Sequence, residues 1–146
     1  MGAQPQHGAA VALSGLAVLH LWWATGSTWP LADQATLADA VAGRPTFPSP
    51  SACVAVAAAL SSASALVVGW PSRGSALQRA GAMGVVAVLL VRGGLGLAGR
   101  TDLVSPGSSS PRFRMLDRRY YAPLCLAIAA LASPATRTAA IVDAAG

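Results

Sequence analysis

The chain has 146 residues, a length that predicts one domain. Ten arginines and five aspartates are its only acidic or strongly basic residues, about 10% of the chain, whereas a soluble domain usually carries roughly a quarter. Apolar residues make up 54%, and the mean hydropathy is +0.55. This inventory cannot form a polar shell around a soluble core, and it excludes intrinsic disorder for the same reason. We therefore expect residues 1–146 to form a single integral membrane domain.

The net charge of +5 and the calculated isoelectric point of 10.6 raise the question of nucleic-acid binding. That activity requires a basic stripe on a soluble face. Here the arginines lie at the ends of apolar segments or within one loop, where charge sets membrane orientation. Nucleic acid is therefore not expected as a partner.

Four segments approach the roughly 20 apolar residues that a helix needs to cross a bilayer. They cover about 8–25, 51–70, 80–99 and 121–141. The predicted fold is all-α, a four-helix transmembrane bundle that crosses the cell (plasma or inner) membrane several times. Pro134 interrupts the fourth segment, so we expect a kink there, with Arg137 extending to the interface.

The first apolar run is expected to remain in the protein as a membrane anchor. Residues 1–6 contain no arginine that would form the positive start of a signal peptide, and no clear cleavage site follows the run.

Three loops join the predicted spans. The first, residues 26–50, contains apolar positions over 31–41 that predict a short helix lying on the membrane surface. The second, residues 71–78, is a tight turn. The third, residues 101–119, opens with a Ser-, Pro- and Gly-rich stretch and closes with a basic segment. Six arginines in the first and third loops against three elsewhere predict that these two loops face the cytoplasm.

Small side chains recur every fourth residue within the spans, a pattern typical of close helix packing in membranes. In the second span they are Cys53, Ala57, Ser61, Ala65 and Gly69, and in the third Gly84, Val88, Arg92 and Gly96 form the corresponding series. The interpretation is ordinary helix packing, because a composition rich in alanine produces such spacings readily.

The polar exceptions within the spans all fall in one half of the bilayer, near the first and third loops. They are His20, Cys53, Arg92 and Cys125, with Asp117, Tyr120 and Tyr121 just before the fourth span. Because polar groups at this depth are costly and usually face the protein interior, we expect a polar layer there.

Arg92 is the strongest individual signal in this layer. It is either a fixed cation that pairs with Asp117 or holds an anionic group, or a side chain that snorkels to the interface about two turns away. His20 is open to three interpretations: a proton-relay group, a haem or metal ligand, or a packing residue hydrogen-bonded to Tyr121 or Asp117. A second histidine at ligand spacing is missing from the sequence, so neither a metal site nor a cofactor is predicted.

The cysteines and aromatic residues in and around this polar layer have structural as well as functional interpretations. The tryptophans at the end of the first span, Trp23 and Trp29 among them, and the tyrosines before the fourth fit an interfacial aromatic belt. Cys53 and Cys125 are either small apolar fillers or, if their Cα atoms come within about 7 Å, a redox pair.

Two motifs carry a family resemblance. His20-Leu-Trp-Trp-Ala-Thr-Gly26 matches His-x-x-Trp-Ala-x-Gly, and Tyr120-Tyr-Ala-Pro-Leu-Cys-Leu126 matches Tyr-Tyr-x-Pro-Leu-Cys-Leu. With Arg92-Gly93, the sequence resembles a family of small bacterial four-helix membrane proteins that is defined only as a domain of unknown function. Ser27, Pro30 and Ala122 depart from the family pattern. The positions that the resemblance carries over are His20, Trp23, Gly26, Trp29, Arg92, Asp117, Tyr121, Pro123 and Cys125.

Three functions remain open from the sequence. The first is a small binding or accessory bundle that holds a small molecule, a lipid headgroup or a partner helix in the polar layer. Its candidate ligand-binding residues are His20, Trp23, Trp29, Arg92, Asp117, Tyr121 and Cys125. The second is a small membrane enzyme with His20 as acid and base and Cys125 as thiol nucleophile. The third is a structural subunit of a larger membrane complex. The expected partners are the lipid bilayer, a small-molecule or lipid ligand, and further copies of the chain or another membrane protein.

Overall fold

The computed structural model describes residues 4–144, with side chains described over residues 4–133. All regular structure in this part of the chain is helical. The elements are α1 (Pro5–Ala24), α2 (Gln34–Ala42), α3 (Pro50–Val68), α4 (Ala76–Leu97), a 3₁₀ turn (Thr101–Leu103), α5 (Pro111–Leu116), a π-helical turn (Asp117–Tyr121) and α6 (Ala122–Ala144). The all-α expectation is confirmed for the described residues.

Three helices, α1, α3 and α4, are long and apolar enough to cross a membrane. Their ends follow from local sequence. Pro5 and Pro50 occupy first-turn positions, where a missing N–H is least costly. The Ser75 hydroxyl accepts from the Gln78 N–H at 3.2 Å, so α4 begins at Ala76, four residues before the predicted start of the third span.

The short helix expected in the first loop is present as α2. The Asp33 side chain caps it by accepting from the Thr36 backbone N–H at 2.8 Å, and this bond holds the pKa of the Asp33 carboxyl below its usual range. Gly43 ends it in the left-handed conformation, with φ of 65°.

The long helices pack α1 against α3 and α6, and α4 against α3 and α6. One buried cluster joins α1, α3 and α6, and consists of Ala9, Leu13, Val67, Ile128 and Ala132. A second joins α1, α2 and α3, and consists of Trp23, Leu37 and Cys53. Ser64 Oγ donates to the Ala10 carbonyl at 3.0 Å, which satisfies a buried hydroxyl between α1 and α3.

The predicted small-residue series are correct over only part of each helix. In α3 the structure buries Cys53, Ala57, Ser64 and Val67 but leaves Ser61 exposed. In α4 it buries Gly96 but exposes Gly84 and Val88. A strict four-residue step advances about 40° around the helix each time, so a straight interface must mix steps of three and four.

The fourth predicted span begins as the continuation of a longer helix. Residues 111–144 are helical without interruption, through α5, the π-helical turn and α6. The basic end of the third loop is therefore helical, and helix α6 extends past Pro134. The proposed position of the Arg137 side chain lies outside the described residues.

Candidate functional site

Arg92 and Asp117 form an ion pair between α4 and the π-helical turn, as one interpretation of the sequence predicted. Arg92 Nη2 donates to Asp117 Oδ1 at 2.7 Å and Nη1 donates to Oδ2 at 3.3 Å. The Thr101 hydroxyl also donates to Oδ2. Asp117 is 1% exposed and Arg92 27%. Both carboxylate oxygens have donors, and both terminal nitrogens of Arg92 point at the protein's own carboxylate, so this geometry favours an internal pair over a site for an external anion.

The π-helical turn positions Asp117 for this pair. It adds about one residue to a helical turn, so the chain can aim Asp117 at α4 and Tyr121 at α2 while the axis continues into α6. Such turns occur frequently at functional sites. No residue type over Asp117–Tyr121 signals this turn in the sequence.

The third loop and the helix that follows it cap the carboxyl end of α2. The last four carbonyls of an α-helix lack partners within the helix. In α2 three of them are satisfied from this distant part of the chain: Ser110 Oγ donates to Asp39 O (3.4 Å), Tyr121 Oη to Ala40 O (3.1 Å), and Ser108 Oγ to Ala42 O (2.6 Å). The first loop, through α2, and the third loop are therefore in direct contact in the structure.

Removing the Tyr121 hydroxyl should loosen this attachment. We expect Tyr121→Phe to lower the free energy of unfolding by about 1–3 kcal/mol, because the buried Ala40 carbonyl loses its donor. Titration with denaturing detergent in micelles measures the change. The neighbouring Tyr120→Phe serves as control, since Tyr120 is exposed, and it should stay within about 0.5 kcal/mol. Equal effects of the two variants would contradict this role of Tyr121.

A cavity of about 120 Å³ lies between the end of α1, the segment after α2 and the start of α3. The residues that line it are His20, Trp23, Val41, Ala42, Phe47, Pro48, Ala52, Cys53 and Val56. Most of this wall is apolar. Trp23 is buried, and its ring meets those of His20 and Phe47 edge to face, with centroids 5.1 and 5.8 Å apart.

The Trp23 ring is also fixed by a hydrogen bond. Its Nε1 donates to the Trp29 carbonyl at 2.8 Å. The segment after α1 therefore folds back over the ring that forms the cavity wall. The Trp29 side chain itself is exposed and does not line the cavity, so Trp29 contributes to this site through its backbone.

His20 is one of the residues that line this wall. Its Nδ1 lies 2.8 Å from the Leu16 carbonyl, and a carbonyl only accepts, so Nδ1 carries the proton. In the neutral ring, Nε2 then holds a lone pair. No residue in the described part of the chain hydrogen-bonds to Nε2. A residue that lines the cavity therefore carries an acceptor atom that has no partner in the described part of the chain.

The two cysteines lie in different surroundings, and both are free thiols. Cys53 is buried and lines the cavity beside His20. Cys125 does not line it and lies within electrostatic range of Arg92 and Asp117. Among the residues whose side chains are described, no group of three His, Cys or Asp side chains is placed to hold a metal ion.

The predicted polar layer thus divides into two places in the structure. His20 and Trp23 line the cavity, whereas Arg92, Asp117 and nearby Cys125 lie around the ion pair. Tyr121 bonds to α2, and the hydrogen bonds expected from His20 to Tyr121 or Asp117 are replaced by the bond to Leu16.

Phe47 lines the cavity and Thr101 bonds to the ion pair, and neither residue was predicted from the sequence. Phe47 was detectable as the only aromatic residue between the prolines of the first loop. Thr101 gave no signal of its own, because nothing in the sequence marks which hydroxyl beyond α4 turns towards the aspartate.

The fold over residues 4–144 is that of a helical protein with three helices able, by length and composition, to cross a membrane. The family model described as "Protein of unknown function (DUF3995)" matches residues 13–132, and the chain belongs to this family. No curated protein and no solved structure shows a match to the chain. The family assigns no activity to its members.

Proposed function

We propose that this chain is a four-span integral membrane protein of the cell membrane, and that it binds a small molecule in the cavity beside His20. The support for a fourth span is α6, whose 23 residues extend about 34 Å, enough to cross the hydrocarbon core. It packs along α1 and α4, two of the helices that can span. The arginine distribution supports a cytoplasmic location for the cavity end of the bundle.

The observation that carries the binding proposal is an otherwise apolar, aromatic-walled cavity lined by His20, whose Nε2 has no partner in the described part of the chain. Ligand sites are typically apolar clefts with a few placed polar groups. The cavity is close in size to the engineered cavity of about 150 Å³ that binds benzene. The ligand class that fits is therefore a single aromatic or aliphatic ring with one hydrogen-bond donor, of about the size of phenol.

Access to the cavity is from the outer surface of the bundle. Pro48, Ala52 and Val56 line it and are exposed, so the opening lies beside the start of α3. In a membrane this surface meets lipid near the interface. A hydrophobic molecule with a polar end, which concentrates at that depth, reaches the cavity without crossing the protein.

Tryptophan fluorescence tests the proposal directly, because Trp23 forms part of the wall. The three other tryptophans are exposed, so the changes Trp22→Phe, Trp29→Phe and Trp70→Phe leave the cavity indole as the only reporter. We expect 4-bromophenol to quench this reporter saturably in micelles. A matched protein that keeps only Trp70, beyond the far end of α3, reports partition into the detergent.

Two outcomes would overturn the proposal. One is quenching of the Trp23 reporter that rises linearly without saturation. The other is equal quenching of the Trp23 and Trp70 reporters at every concentration, which means that the bromophenol dissolves in the micelle only.

The alternative of an enzyme based on His20 and Cys125 has no geometric support, because Cys53 is the cysteine that shares the cavity with His20. A role as a structural subunit predicts that the cavity takes up no small molecule, so the fluorescence experiment separates it from the binding role.

A further inference from the structure

The helical segment of residues 111–121 presents a basic outer face. Phe113 and Asp117 are buried on its inner side. Its exposed residues include four arginines, Arg112, Arg114, Arg118 and Arg119. Neither Arg112 nor Arg118 has a hydrogen-bond or ion-pair partner in the described part of the chain. Two guanidinium groups are therefore available to a ligand outside the protein.

The other two arginines are partly held in place. Arg114 Nη2 donates to the Ser109 carbonyl at 2.7 Å, and the Arg119 guanidinium lies 5.6 Å from the centre of the Tyr120 ring. These contacts restrict the side chains without neutralising them, so less conformational entropy is lost when they bind an anion.

The charge around this face is not balanced by nearby acids. The first and third loops with their adjoining helix carry six exposed arginines, the four above with Arg44 and Arg100. Of the four aspartates in the same segments, Asp117 is paired with Arg92, so three remain. One of these, Asp102, lies 3.9 Å from Arg100. The net charge of these segments is therefore positive, and none of the four arginines of residues 111–121 forms an ion pair within the described part of the chain.

Exposed apolar side chains lie among these cations. Met115 and Tyr120, on the same segment, are 55% and 53% exposed, and Leu103 and Val104 are exposed in the loop before it. Mixed basic and apolar surfaces are typical of segments at the level of lipid headgroups. Arg118 and Arg119 also lie within one turn of α6, the helix assigned above as the fourth span. A nucleic acid would not use the apolar part of this surface.

We propose that this face, the outer side of residues 111–121, binds the phosphate headgroups of anionic phospholipids in the adjacent leaflet. A guanidinium group donates two parallel hydrogen bonds to a phosphate, while Met115 and Tyr120 lie against the acyl boundary. The inference rests on the membrane placement in the proposed function but not on the cavity. Lipid binding at this face and small-molecule binding in the cavity can therefore be disproved independently.

Native mass spectrometry of delipidated protein tests this inference with an equimolar mixture of phosphatidylglycerol and phosphatidylcholine. We expect the unaltered protein to retain phosphatidylglycerol preferentially. Each arginine near the surface contributes about a fivefold preference, so Arg118→Gln with Arg119→Gln should reduce it by at least about tenfold. The charge-preserving pair Arg118→Lys and Arg119→Lys should keep most of it. Arg73→Gln, at the opposite end of α3, is the matched control and should leave the preference unchanged.

Three results would overturn the inference. The first is an unchanged lipid preference in the double glutamine variant. The second is an equal loss in Arg73→Gln, which would indicate a general charge effect. The third is displacement of the lipid by an equal concentration of glycerol phosphate, since the face would then bind free phosphate and not a lipid. If 4-bromophenol does not quench Trp23 saturably while phosphatidylglycerol is retained, only the proposed binding role of the cavity is contradicted.

Discussion

Replacing Arg92 with methionine is expected to lower the free energy of unfolding by about 3–5 kcal/mol. Methionine keeps most of the volume of the side chain but leaves Asp117 buried without its cation, and breaking a buried pair from one side is costly in this range. Removing the charge of the other partner, with Asp117→Asn, should lower the free energy of unfolding by less, about 3 kcal/mol. The reason is that Arg92 is 27% exposed and can turn towards water. Titration with denaturing detergent measures both.

The double variant Arg92→Met with Asp117→Leu separates the ion pair from general damage to the fold. With both charges removed, most of the lost stability should return, because a buried pair replaced by apolar groups is often neutral. Asp102→Asn is the control, as an exposed aspartate of the same loop, and it should stay within about 0.5 kcal/mol. A loss below about 1 kcal/mol for Arg92→Met would contradict the structural role of the pair.

The second large effect is expected at Gly96, which lets α4 approach the π-helical turn. A Cβ at this position would lie 2.7 Å from Ala122 Cβ and 2.9 Å from Asp117 Oδ2. Gly96→Ala should therefore cost about 1–3 kcal/mol through overpacking, and it should disturb the Arg92 pair as well. Unfolding in detergent measures the loss of stability.

Gly94→Ala is a matched control on the same helix. Apart from the adjoining backbone of α4 itself, no atom would lie within 4 Å of a Cβ at this position, so alanine there should leave stability unchanged or raise it by up to about 1 kcal/mol through helix propensity. If Gly96→Ala changes the free energy of unfolding no more than Gly94→Ala does, the close contact between α4 and residues 117–122 is contradicted.

The sequence predicted the helical elements well because hydrophobic length is a local property. The apolar runs correspond to α1, α3 and α4, and the apolar positions of the first loop to α2. The Arg92–Asp117 pair was also predictable, since both residues lie near the third loop and a charge in a span needs a partner.

The grouping of the polar residues was not predictable, because depth in the membrane does not determine the direction around a helix axis. His20 and Asp117 lie near the same end of the molecule, yet His20 faces α2 and α3 while Asp117 faces α4. The π-helical turn adds a local change of register that no residue of Asp117–Tyr121 signals by type. Residue types therefore indicated most members of the two places, without Phe47 and Thr101, and did not indicate how the members divide between them.

The measurement that tests the account most directly compares two probes of equal shape on the Trp23 reporter protein. 4-Bromophenol and 4-bromotoluene differ by a hydroxyl in place of a methyl group, so their difference in affinity reports the hydrogen bond to His20 Nε2. We expect the phenol to bind several-fold more tightly, and His20→Leu, a change of similar volume, to abolish this preference. An equal preference with and without His20 would contradict the claim that the histidine selects the ligand.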